Sequence, residues 1–156
     1  MHLRLNDCMA FLDDVQSALA ADGGLQRALE LTIAELRAES GTIHMMADDG
    51  LLHLRAASGL PEVVLNIVRT IPVGKGMAGL AAERKEPITA CNIQTDASGN
   101  VRPGARATGM EGAIVVPILS GTEAIGTLGV ANRSERTFTE EEIEILNSVA
   151  RAILAQ

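Results

Sequence analysis

Aromatic residues are nearly missing from this chain: there is no Trp and no Tyr, and Phe11 and Phe138 are the two Phe among 156 residues. Purine and tetrapyrrole sites commonly sandwich a flat ring between aromatic faces, so the composition speaks against a large planar cofactor, and none is assigned. Cysteine is scarce as well. Cys8 and Cys91 stand far apart and outside any C-x-x-C, which excludes a disulfide framework and a thiolate zinc site. Free buried thiols are the simplest reading of both, and no base or cation beside Cys91 marks it as reactive. Positive charge is limited to 13 Lys and Arg, leaving a net charge of -7. Affinity for phosphate backbones comes largely from clustered cations, so direct nucleic-acid binding is not expected. No apolar run approaches the ~18 residues that span a bilayer. The first residues, MHLRLNDCMAFLDD, place acids where a signal peptide carries its apolar region, so the expected location is cytoplasmic, with no membrane partner.

What is present is an apolar content of 47%, enough for one globular core in a chain of this length. The stretch IPVGKGMAGLAAERKEPITACNI, from Ile71 to Ile93, organises its centre. Gly74, Gly76 and Gly79 satisfy G-x-G-x-x-G, a spacing that can bring backbone N–H groups against a pyrophosphate. A dinucleotide site also needs a buried strand before the glycines and a parallel βαβ unit around them. Here Pro72 precedes the turn, Pro61 to Thr70 reads as a short helix, and only one helix and one strand, Ile88 to Ile93, follow. The glycines are better read as a sharp turn into a helix packed close on a sheet.

Elsewhere the periods are clear. Leu5, Cys8, Leu12, Val15 and Leu19 recur at helical spacing through a first helix from Arg4 to Ala20, as in a two-stranded coil or a helix laid on a core. Asp22-Gly23-Gly24 ends it, and a second helix runs from about Leu25 to Glu39. Thr42 to Ala47 and Leu51 to Ser58 then form a hairpin around Asp49-Gly50, a type I′ signal. That turn puts Ile43, Met45, Ala47, Leu52, Leu54 and Ala56 on one apolar face and His44, Met46, His53 and Arg55 on the other. A surface-facing strand pair explains the second set more simply than a metal or haem site, because no third His or acid at ligand spacing accompanies it.

Gln94 to Met110 is a long polar loop of the kind that serves as a lid. Gly112 to Leu119 and Ala124 to Asn132 form a second, almost wholly apolar hairpin, read as central strands covered on both faces. Thr139 and Glu142 predict a capping box for the last helix, with Phe138 and Ile143 as its staple. Ile143, Leu146, Ala150 and Ile153 form a stripe along that helix, widened by Ile145 and Val149.

This order of elements resembles the GAF domain, and four blocks carry the likeness: Ser40 to Leu60, Ile71 to Ile93, Ala113 to Asn132 with its VVPI and IGTLGVAN pieces, and Phe138-Thr139-Glu140-Glu141. The resemblance covers about Leu25 to Gln156. It implies an α+β fold, a GAF/PAS-like central antiparallel sheet with the N- and C-terminal helices packed on one face. Residues 1–24 are then an N-terminal dimerisation and signalling helix, and 25–156 the GAF domain. It further implies a sensor or regulatory module in signal transduction, a homodimer through the terminal helices, and an output partner such as a kinase, cyclase or transcription regulator, in cis or in trans. Subfamily marks are incomplete. Asn132, Arg133 and Phe138 are reminiscent of the cyclic-nucleotide pattern, but the acids, Glu140 to Glu142, stand at a loose spacing. Methionine sulfoxide reductases of this fold gather cysteines around the pocket, and Cys91 alone cannot supply both an attacking and a resolving thiol.

The expected function is therefore non-enzymatic binding of a small molecule. Lys75 and Gly76 at the glycine turn, with Cys91, Arg102, Arg106 and Met110 around the lid, are the candidate binding residues. The three cations favour a small anion or carboxylate. Leu5, Cys8, Leu12, Val15, Leu19, Ile143, Leu146 and Ile153 are the candidate dimer surface. A structural dimerisation module with a closed, vestigial pocket is the alternative, and a thiol enzyme built on Cys91 ranks below both. His2, His44 and His53 lack the nucleophile and acid of a catalytic relay, and no metal site is expected.

Overall fold

The switch from helical to two-residue periodicity near Gly41 marks where the chain enters its sheet. The computed structural model describes residues 5–101 and 103–156, the side chains of residues 5–8, 103 and 104 excepted. Helices α1 (Leu5–Leu19) and α2 (Gly24–Glu35) come first. Helix α2 stops four residues before the expected Glu39 because Arg37 takes a left-handed φ of 54°. Strands β1 (Ser40–Met46) and β2 (Leu51–Ser58) form a hairpin, followed by α3 (Glu62–Val68), β3 (Thr70–Pro72), α4 (Gly76–Arg84) and β4 (Ile88–Ala90). A 3-10 turn at Pro103–Thr108 interrupts the long loop before the hairpin β5 (Gly112–Ser120) and β6 (Glu123–Asn132) and the final helix α5 (Glu140–Leu154). The six strands make one antiparallel sheet in the order β3-β2-β1-β6-β5-β4.

Helices α1, α2 and α5 cover one face. Val15, Leu29, Leu146 and Val149 meet Ile43, Ile114, Val116 and Leu128 there, all of them fully buried. The capping box predicted at Thr139 and Glu142 is present. Phe138 and Ile143 both pack on this core, and the Arg136 guanidinium lies 4.4 Å above the Phe138 ring.

This packing corrects the expected use of several apolar residues. Val15 and Leu146 are fully enclosed in the chain's own core, and Leu19 and Ile153 are buried there with little surface left for a second copy. Leu12 and Ile143 are half-buried, while the side chains of Leu5 and Cys8 lie outside the described residues.

The first hairpin also departs from expectation. Its loop has three residues, Asp48 to Gly50, closed by Ala47 N–H to Leu51 O at 3.0 Å and Gly50 N–H to Ala47 O at 3.0 Å. Gly50 takes φ 78°, the left-handed residue that such a loop needs. The pairing is therefore one residue out of the expected register, with Met46 opposite Leu52, Met45 opposite His53 and His44 opposite Leu54. Arg55 is then an extra residue on β2, a bulge that restores Ile43 opposite Ala56. Leu52 and Leu54 consequently share a face with His44 and Met46, and Ile43 and Ala56 keep the helix side.

Candidate functional site

The second face of the sheet carries smaller side chains. Ala90, Ala113 and Ala131 stand in register across β4, β5 and β6, and Thr42, Gly129 and Val115 across β1, β6 and β5. Short side chains cannot fill the layer between this face and the elements that cross it, so a cavity of about 160 Å³ remains. Helix α3 covers it through Val64, Ile67 and Val68, helix α4 through Met77 and Ala78, and the long loop through Ala105, Thr108 and Met110. Its volume is close to that of an engineered cavity of about 150 Å³ that accepts benzene.

The glycine turn brings α4 onto the sheet as expected. Gly74 N–H bonds to Gly79 O at 2.8 Å, and a Cβ on Gly79 would collide with the Pro72 carbonyl oxygen. The long loop is stitched to itself rather than left open. The Gln94 amide donates to Met110 O at 2.7 Å and to Arg106 O at 3.1 Å, and Met110 N–H donates to the Thr108 hydroxyl at 2.9 Å.

The cavity wall is aliphatic over most of its area. Ser40, Thr42, His44 and Thr108 are its polar members, and Lys75 is the charged residue of the described lining. Of the candidate binding residues, Lys75, Gly76 and Met110 line the cavity, with the Lys75 side chain exposed. Cys91 and Arg106 are exposed and outside the lining: the Cys91 thiol lies 3.8 Å from the Thr137 hydroxyl, and Arg106 donates to Asp96 O at 3.3 Å. Arg102 lies outside the described residues.

Sequence reasoning missed His44. It is 1% exposed and lines the cavity instead of facing solvent. Its Nε2 lies 2.7 Å from Val68 O, so the end of α3 is tied to β1, and Leu54 N–H to Arg69 O at 2.9 Å ties it to β2. Burial holds the imidazole below its ordinary pKa against the opposing effect of the Val68 bond, which keeps it neutral at physiological pH. Alternation along β1 puts His44 on the face opposite Ile43, as read from the sequence; what the hairpin alone does not show is that α3, α4 and the long loop cover that second face. His53 is different. It sits at the hairpin tip, with Nε2 2.7 Å from Asp49 Oδ2. Among the described residues no group of three His, Cys, Asp or Glu is placed to hold a metal ion, and no helix is long and apolar enough to cross a membrane.

Comparison with known proteins agrees with this architecture. The GAF domain of an Acinetobacter phosphoenolpyruvate-protein phosphotransferase is similar over 97% of this chain and 93% of its own, with a TM-score of 0.81 at 16% identity. The corresponding domain from Coxiella burnetii is similar over 95% and 90%, with a TM-score of 0.80 at 23% identity. A free methionine-R-sulfoxide reductase from Neisseria meningitidis, solved with its substrate, shares the fold over 99% and 95%, with a TM-score of 0.71 at 16% identity. No curated protein matches the sequence significantly. The sequence profile of the GAF domain matches residues 20–154, and the chain belongs to that family of regulatory and sensor domains.

Proposed function

We propose that this chain is a non-enzymatic regulatory domain that senses a small, uncharged and largely apolar molecule in the cavity beneath α3, α4 and the long loop. The observation that carries this is the cavity itself: open space over a floor of Ala, Gly and Thr, covered by aliphatic side chains, with the exposed Lys75 as the charged member among the described residues. The described part of that wall offers little to an anion, and Arg106 lies outside it, so a neutral ligand is preferred to the anion that the sequence suggested. Cys91 is exposed and outside the lining, which supports binding over thiol redox chemistry. Helices α1 and α5 pack together on the opposite face and are read as the side from which occupancy is passed on.

The test is a calorimetric thermal-shift screen of neutral monocyclic compounds against carboxylates of the same size. Calorimetry is chosen because the chain has no Trp or Tyr to report by fluorescence. A ligand at 100 times its Kd stabilises the folded state by about 2.7 kcal/mol. A shift with the neutral set supports the proposal, whereas a shift confined to the carboxylates refutes the ligand class. No shift with either set favours a closed, structural pocket.

A further inference from the structure

We propose that His44 is the polar anchor of the cavity and that the ligand it selects presents a hydrogen-bond donor, a hydroxyl or N–H on a small apolar frame. This rests on the cavity being a ligand site, as proposed above.

The donor requirement follows from the tautomer. A backbone carbonyl can only accept, so the 2.7 Å contact between Nε2 and Val68 O means that Nε2 carries the ring proton. In neutral imidazole the other nitrogen is then a lone-pair acceptor. Nδ1 is buried, and among the described residues no protein group bonds to it. A buried acceptor without a partner is unfavourable, and since His44 lies on the cavity wall the complementary donor is supplied from the cavity. A hydroxyl or N–H satisfies Nδ1. An ether or ketone oxygen would set one lone pair against another. A carboxylate would require the doubly protonated ring, a charge that burial in this wall disfavours.

The anchor is also connected to the cover. The same ring holds Val68 at the end of α3, and α3 supplies Val64 and Ile67 to the cavity. A donor at Nδ1 polarises the ring and strengthens the Nε2–H bond to Val68, so the group that recognises the ligand also fastens the helix above it. The volume of about 160 Å³ sets the frame at about one six-membered ring.

The experiment titrates the full chain with phenol, toluene and anisole: a donor, an isostere without a polar group, and an ether that only accepts. The expected result is that the ratio of phenol to toluene affinity falls at least ~10-fold in His44→Phe relative to the wild type. In the wild type, phenol moves the ¹⁵N resonance of His44 Nδ1 and anisole leaves it in place. This second readout decides the matter if His44→Phe does not fold. A phenol-to-toluene ratio unchanged by the substitution, or an Nδ1 resonance indifferent to phenol, overturns the anchor while the cavity stands. Failure of all three probes to bind overturns the ligand-site reading and the anchor with it.

Discussion

Substitution of Ala113 by Leu asks the structure directly whether its cavity is open. Ala113 is 5% exposed, lines the cavity, and is paired with Ala90 on one side and Ala131 on the other. Leucine adds three carbons at that point. Transfer from water at about 0.8 kcal/mol per methylene gives roughly 2.4 kcal/mol. Fixing the new rotamers costs about 0.5–1 kcal/mol, which leaves a net stabilisation of about 1.5 kcal/mol if the space is empty. The gain is within what the site can give, because about 24 cal/mol per Å³ over about 160 Å³ sets an upper bound of roughly 4 kcal/mol. In a wall already packed, the same carbons would instead destabilise by about 1–3 kcal/mol. Urea unfolding followed by far-UV circular dichroism separates the two signs, and a gain of about 1.5 kcal/mol raises Tm by about 3–6 °C. A loss of about 1 kcal/mol or more would refute the open cavity and return the domain to a structural role.

Three further outcomes are expected. Leu146→Ala, at a fully buried position on α5, lowers stability by about 2–5 kcal/mol in the same assay. Thr139→Ala removes the side chain that caps α5 and costs about 1 kcal/mol, read as a shift in the urea midpoint. Stability falls on acidification in two stages. Burial lowers the His44 pKa, so its contribution is complete above about pH 6.5 and is lost as the pH drops from 6.5 toward the folded value. Burial works to raise the Glu142 pKa, but the Thr139 N–H and the Arg136 guanidinium outweigh it and hold the carboxyl below 4.5, so its contribution is lost below about pH 4.5. His44→Phe removes the first stage and Glu142→Gln the second, measured as urea midpoints across the pH range.

The elements were legible because their signals are local. The capping box at Thr139 and the glycine turn before α4 appear where the residues put them, and each depends on backbone geometry within a few positions. The burial of His44 was not legible: alternation sets its face, but its cover comes from α3, through Val68 O, and from other elements distant in sequence. The move of Leu52 and Leu54 onto the same face was hidden by a loop one residue longer than the Asp49-Gly50 pair suggests. The terminal helices show a second limit. An apolar stripe reports that a helix buries one side, but it does not say whether the partner is another copy or the sheet, and for Val15 and Leu146 the partner is the chain itself. The cavity was hidden for a related reason: Thr42, Ala113, Gly129 and Ala131 are unremarkable in sequence and become a floor only when three strands align them.

The bulge at Arg55 also bears on how this domain tolerates change. The three-residue tip and the bulge displace the β2 register and then return it, like two compensating frameshifts, so the outer part of the hairpin is read in one frame and the base in another. A change of length at Asp48 to Gly50 can be absorbed by altering the bulge, without moving Ile43 from Ala56 or turning His44, whose face is held by β6. The tip is thereby insulated from the cavity, and insertions that would invert an ordinary hairpin leave the cavity wall in place.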